Sequence, residues 1–155
     1  MASHANFPSP TINDYFRIID PKGKLSEEDR CRKMDAVLDE LPRSFPKALC
    51  YVMTLSHITI EELAWASQIS ERTISRYRTG DTDSYSEDKV VAMCIAMKLP
   101  PWLSRELIEK AGFRLAETKR QRACMRILDC MYTSTVAEVQ RILVDYGDAP
   151  LKLTA

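Results

Sequence analysis

Thr59–Gly80 reads TIEELAWASQISERTISRYRTG, and the local chemistry of this stretch decides the fold. Thr59 and Glu62 have the spacing of a capping box, in which hydroxyl and carboxylate each satisfy an orphan amide at a helix start. Leu63, Ala64 and Ile69 supply apolar positions, and Ala64 and Ala66 are small enough for a second helix to pass close by. Ser67-Gln68-Ile69-Ser70 breaks the helical run. Ser70 then caps a new helix with Glu71 in its first turn, where the helix dipole favours negative charge. Ile74 and Tyr77, three apart, share its inner face. Glu71, Arg72, Ser75, Arg76 and Arg78 lie on or beside the opposite one. Gly80 stops the helix in the left-handed conformation that glycine adopts without strain.

A helix with arginines outward and apolar residues inward suits a major-groove reader, because arginine pairs bidentately with guanine edges or grips phosphate. The same arginines also fit an ordinary solvated helix face. Capped helix, turn, capped helix and glycine together are more specific than any one of them, and they form the pattern of a helix-turn-helix. Leu63-Ala64, the Ile69-Ser70 turn, Thr73-Ile74-Ser75-Arg76-Tyr77 and Gly80 resemble the Cro/phage-repressor (lambda repressor-like) type of this domain. Ser86–Leu99 followed by Pro100 resembles its fourth helix, Trp102–Ala111 its fifth, and Ser44–Ser56 its first. The resemblance thus spans about residues 44–113, less than half of the chain.

The resemblance implies a five-helix core and double-stranded DNA as partner. By position it makes Glu71, Arg72 and Ser75 base-facing, with Arg76 beside them, and Arg78 and Thr79 phosphate-facing at the helix end. Thr73 completes the DNA-contacting set. The chain departs from the family at three places. Ile60 stands where Gln is frequent at the first motif helix, and Glu71 where Gln or Arg is frequent. Gln68 replaces the usual turn glycine and must hold an uncommon backbone conformation. A glutamate at position 71 can accept from a cytosine amino group but repels phosphate.

Charge by region is uneven. The chain balances 22 basic against 22 acidic residues, so it is no generally basic nucleic-acid binder. Residues 41–80 carry five Lys/Arg (Arg43, Lys47, Arg72, Arg76, Arg78) against three acids (Glu61, Glu62, Glu71). Residues 81–99 reverse the sign, with Asp81, Asp83, Glu87 and Asp88 against Lys89 and Lys98. Residues 100–126 are basic again. The acidic loop Asp81–Ser84 follows Gly80 directly, where the family's loop approaches the DNA backbone. Because phosphate contacts dominate affinity, the expectation is modest, strongly salt-dependent binding.

At 155 residues with 45% hydrophobic content, the chain is one compact domain or a domain with an appendage. Period-two alternation is scarce, so the expected class is all-α. No stretch approaches the roughly 20 apolar residues that span a bilayer, and no signal peptide is visible, so the expectation is a cytoplasmic protein without membrane contact. Cys31, Cys50, Cys94, Cys124 and Cys130 are scattered, and neither His4 nor His57 has metal-ligand spacing. Reduced, mostly buried cysteines and no metal or cofactor are expected.

Four segments emerge. Residues 1–23, rich in Pro, Ser and Asn, read as extended or disordered, although Tyr15–Ile19 could dock onto the body. Residues 24–43 form a flanking helix capped by Ser26 and ending near Leu41, with Met34, Val37, Leu38 and Leu41 on one face. Residues 44–113 hold the helix-turn-helix domain, in which the helix after Ser86 is apolar nearly all round and should be central. Residues 114–155 read as a helical hairpin, from about Glu117 to Met131 and, after a Thr135–Glu138 capping box, to about Tyr146. Met125, Ile127 and Leu128 should meet Val136, Val139, Ile142 and Leu143. The basic cluster Lys119, Arg120, Arg122 and Arg126 fits a solvated face better than an extra phosphate contact. The hairpin is a candidate dimerisation element, since two motif helices one DNA turn apart require a homodimer on a two-fold site.

Catalysis has little support. There is no His-Glu-x-x-His, no nucleophile in a recognisable turn and no glycine-rich phosphate loop. Trp65 and Trp102 read as core or interface packing residues. The expectation is a non-enzymatic, sequence-specific DNA-binding transcriptional regulator of bacterial or phage origin that inserts Ser70–Thr79 into the major groove. The alternatives are a protein-interaction or antitoxin-like module with a protein partner, or the regulatory part of a larger protein.

Overall fold

Residues 9–154 are described by the computed structural model, and among them every regular element is a helix. In chain order these are α1 (Ile12–Phe16), α2 (Glu27–Glu40), α3 (Phe45–Leu55), α4 (Ile60–Ser67), α5 (Glu71–Thr79), α6 (Glu87–Ala96), α7 (Pro101–Lys110), α8 (Lys119–Cys130) and α9 (Val136–Asp145). The all-α class holds. Most of the helices begin where a hydroxyl can cap them. Ser26, Ser70 and Ser86 accept from the amide three residues on, and Thr11, Thr59, Thr118 and Thr135 form full capping boxes. Pro101 opens α7 at its first position, where its missing N–H costs nothing.

α6 is the centre of the molecule. Val90 through Ile95 are fully buried, so along this stretch no face of the helix is left for water. α4, α7, α8 and α9 all pack on it, while α3 lies against α5 and α7. α8 and α9 lean on α6 more than on each other, so the expected hairpin is looser than a face-to-face pair. Ile127, Leu128, Val136, Val139 and Leu143 are buried, but Met125 and Ile142 are only half-buried. Val90 to Ile95 make α6 apolar on every side, and both helices pack on it.

Two segments differ from expectation. Residues 1–8 of the stretch read as extended lie outside the described residues; residues 12–16 form α1, and the segment that follows is docked. Thr11 and Asp14 form a capping box, Ile19 and Asp20 are buried, and the Trp102 Nε1–H donates to the Tyr15 carbonyl at 2.9 Å. Asp20 holds the chain in place by accepting from the Lys24 amide at 3.0 Å, the Leu25 amide at 3.3 Å and Arg30 Nε at 2.9 Å. At the other end, Leu151 and Leu153 are buried, and the Gln140 side chain both donates to and accepts from the Leu151 backbone. Arg120 pairs with Asp88 and donates to the carbonyls of Ala149 and Pro150. Arg126 approaches Asp148 at 3.7 Å. Part of the basic cluster on α8 therefore anchors the C-terminal segment.

Candidate nucleic-acid interface

α4 and α5 are joined by Gln68-Ile69-Ser70. Gln68 stands at φ 64°, the left-handed conformation that its position requires, and Ile69 is buried beneath it. Ser70 accepts from the Thr73 amide at 3.2 Å and donates to the Thr73 hydroxyl at 2.9 Å. Ile74 and Tyr77 are buried, and Tyr77 packs edge-on against Phe45 of α3, with ring centroids 6.0 Å apart. At the C-terminal end Gly80 sits at φ 78°, and its amide and that of Asp81 both donate to the Arg76 carbonyl. A Cβ at Gly80 would lie 3.2 Å from Pro46 Cγ, so the glycine also lets α5 close against α3.

With its inner face fixed in this way, α5 turns the other outward. Glu71, Arg72, Arg76 and Thr79 are exposed, and Thr73, Ser75 and Arg78 are half-buried. Arg72, Arg76 and Thr79 fall at i, i+4 and i+7, one stripe of the helix. The side chains of Glu71, Arg72 and Arg76 have no hydrogen-bond or ion-pair partner among the described residues. Arg78 differs from them: its Nε is enclosed without a partner, and its carbonyl receives the Cys50 thiol at 3.7 Å. Thr79 turns its hydroxyl back onto the carbonyls of Ser75 and Arg76. The seven residues expected to contact DNA are therefore four at the surface and three partly withdrawn.

Beside this stripe is a cleft of about 310 Å³ between α5, the 81–86 loop and the first turn of α6. Arg76 and Lys89 supply two cations, and Thr73, Thr82, Ser84 and Ser86 supply hydroxyls. Asp81 and Asp83 are exposed but do not line it. The loop is pinned by Tyr77, whose hydroxyl accepts the Ser86 amide at 2.8 Å, and by Tyr85, whose ring lies tilted against Phe45 at 4.5 Å and edge-on to Tyr77 at 5.0 Å. Chemically the cleft suits an oxyanion. Summing charge over residues 81–99 concealed Lys89; its place three residues after the Ser86 cap is the signal that could have found it.

Other expectations about side chains divide. Cys94 and Cys124 are buried, and burial pushes their thiols up to about 12 and about 11, so both stay protonated at neutral pH. Cys50 is half-buried, whereas Cys31 and Cys130 are exposed, so the cysteines are not mostly buried. Trp102 is half-buried as a packing residue, but Trp65 is 89% exposed and belongs to no core. Among the described residues no group of three or more His, Cys, Asp or Glu is placed to hold a metal ion, and no helix is long and apolar enough to cross a membrane. Comparison with family models, with curated proteins and with solved structures gives no match.

Proposed function

We propose that α3–α7 form a repressor-like helix-turn-helix domain and that the chain is a sequence-specific regulator of transcription, binding double-stranded DNA through α5. The observation that carries this reading is the pair Arg72 and Arg76 on the surface of α5, without side-chain partners among the described residues and opposite the buried Ile74 and Tyr77. Guanidinium groups in that position can reach base edges while the N-terminal end of the helix enters the groove. The cleft of Arg76, Lys89 and loop hydroxyls supplies a backbone contact that offsets the acidic loop. A homodimer would place two such helices on a two-fold site.

The test is an unbiased selection of duplexes with the purified chain, followed by anisotropy titration of the enriched sequence. Arg72→Ala and Arg76→Ala should each weaken binding by about 1–3 kcal/mol, and raising salt should weaken it further. The reading fails if no duplex is enriched at low salt, or if binding ignores both arginines. A second reading, a protein-interaction module of the same fold, draws on the exposed Glu71, Asp81 and Asp83, which disfavour phosphate. Recovery of one stoichiometric protein partner with no duplex enriched would select it.

A further inference from the structure

Trp65 is 89% exposed on α4, an unusual position for the largest apolar side chain, and nothing in the DNA reading uses it. It borders a groove of about 680 Å³ with α4 and Gln68 on one side and the end of α6 with residues 134–137 on the other. Ala64, Ala66, Ala96 and Ala137 supply its apolar surface, with the buried Ile95 and Val136 beneath them. This volume lies within the range of small-molecule sites.

The groove also has a sign. Lys98 lines it, and no carboxylate does. The Lys98 ammonium donates one hydrogen to the Thr133 carbonyl at 3.0 Å, which leaves two of its three donors for a ligand. The Gln68 side-chain amide, at the rim, has no partner among the described residues.

We propose that this groove binds a small aromatic carboxylate. The ring stacks on the Trp65 indole over the alanine surface, and the carboxylate pairs with Lys98, with the Gln68 amide as a second donor. An aliphatic acid would forgo the stacking, and a neutral arene would leave the Lys98 charge unanswered. The bound molecule would bridge α4, which leads into the Gln68–Ser70 turn, and the start of α9.

The experiment uses the full chain and two probes of matched shape, 2-naphthoate and the neutral 2-naphthalenemethanol, followed by titration calorimetry and by tryptophan emission. Naphthoate should bind more tightly than the alcohol and shift the emission of the solvent-exposed Trp65 to shorter wavelength. Trp65→Ala, a surface change that should leave the melting curve intact, should abolish binding of both probes. Lys98→Gln should weaken naphthoate by about tenfold, the loss expected of one charge-assisted contact, and leave the alcohol unaffected. Three results overturn the proposal: no heat from either probe, equal affinity for the two, or naphthoate binding untouched by both substitutions. Concentration-dependent self-association that blue-shifts Trp65 without any probe also overturns it, by giving the groove to a second copy. None of these readouts depends on DNA binding.

Discussion

The Tyr77 hydroxyl accepts a hydrogen bond from the Ser86 amide at 2.8 Å, tying the inner face of α5 to the cap of α6 across the acidic loop. The bond spans nine residues and fixes the loop that walls the oxyanion cleft. Burial holds the Tyr77 phenol above its ordinary value, the Ser86 hydrogen bond offsets this in part, and Tyr85 adds to it. A raised folded value means that this contribution to stability is complete below about pH 10, the unfolded value, and is lost as pH rises through the folded one. Tyr77→Phe should leave the Ser86 amide unsatisfied and cost about 1–2 kcal/mol in urea unfolding at neutral pH. Its stability should also fall less steeply above pH 10 than that of the parent, because one titrating phenol is gone. An identical alkaline slope would refute the assignment.

Lys89 follows from the same cleft. If a DNA phosphate sits between Arg76 and Lys89, then Lys89→Ala should weaken binding about equally for every duplex and lower the salt-dependence slope by about one. Arg72→Ala should instead relax preference at particular base pairs. Titrations of the selected duplex and of a scrambled one at several salt concentrations separate the two effects. A change in sequence preference on losing Lys89 would place that side chain at a base rather than at the backbone.

Asp20 carries the docking of the N-terminal segment. Desolvation alone would raise its carboxyl, but hydrogen bonds from Arg30 and the amides of Lys24 and Leu25, with the charge of Arg30, outweigh it and hold the group below its ordinary value. The sign is therefore that of a depressed acid: the stabilisation is present above the unfolded value near pH 4 and is lost as pH falls through the folded one. Asp20→Asn should free residues 12–25, seen as faster amide exchange there, and should flatten part of the acid limb of unfolding. Protection equal to the parent's would mean that Trp102 and Ile19 suffice to hold the segment.

Most of the helices after residue 24 were legible from local chemistry, while α1 was not, although its Thr11–Asp14 box is equally local. A hydroxyl followed three residues later by a carboxylate marked Thr59 and Thr135, and the structure has full boxes at both; the boxes at Thr11 and, with an amide as partner, Thr118 follow the same rule and went unread. The all-apolar run after Ser86 identified the central helix for the same reason, since composition alone says that no face can meet water. Contacts between distant parts of the chain were not legible. The anchoring of residues 148–154 by Arg120 and Gln140 has only one sequence trace, the alternation of Leu151 and Leu153. Trp65 illustrates the converse: its spacing on α4 admits core or surface, and only the packed position of α6 decides which. Within the candidate site, Ile74 and Tyr77 were readable as inward from period alone, but the withdrawal of Arg78 depends on the closeness of α3 to the end of α5.

Arg120 tests whether the C-terminal segment is part of the folded unit. Its guanidinium bridges Asp88 on α6 and the carbonyls of Ala149 and Pro150, while Asp88 also accepts the Lys152 amide at 2.8 Å. Removing the arginine leaves those two carbonyls short of a donor and the Asp88 carboxylate short of its cation, so Arg120→Ala should cost about 1.5–3 kcal/mol, the range for hydrogen bonds to a charged group. Lys119, adjacent in sequence and exposed, has no side-chain partner among the described residues, and Lys119→Ala should stay within about 0.5 kcal/mol of the parent. Amide exchange localises the effect: Leu151 and Lys152 should lose protection in the Arg120 variant, while α3, α5 and α6 keep theirs. Equal stability of the two variants would mean that the Gln140 contacts and the buried Leu151 and Leu153 hold the segment without the ion pair, and that the basic cluster of α8 is free for another partner.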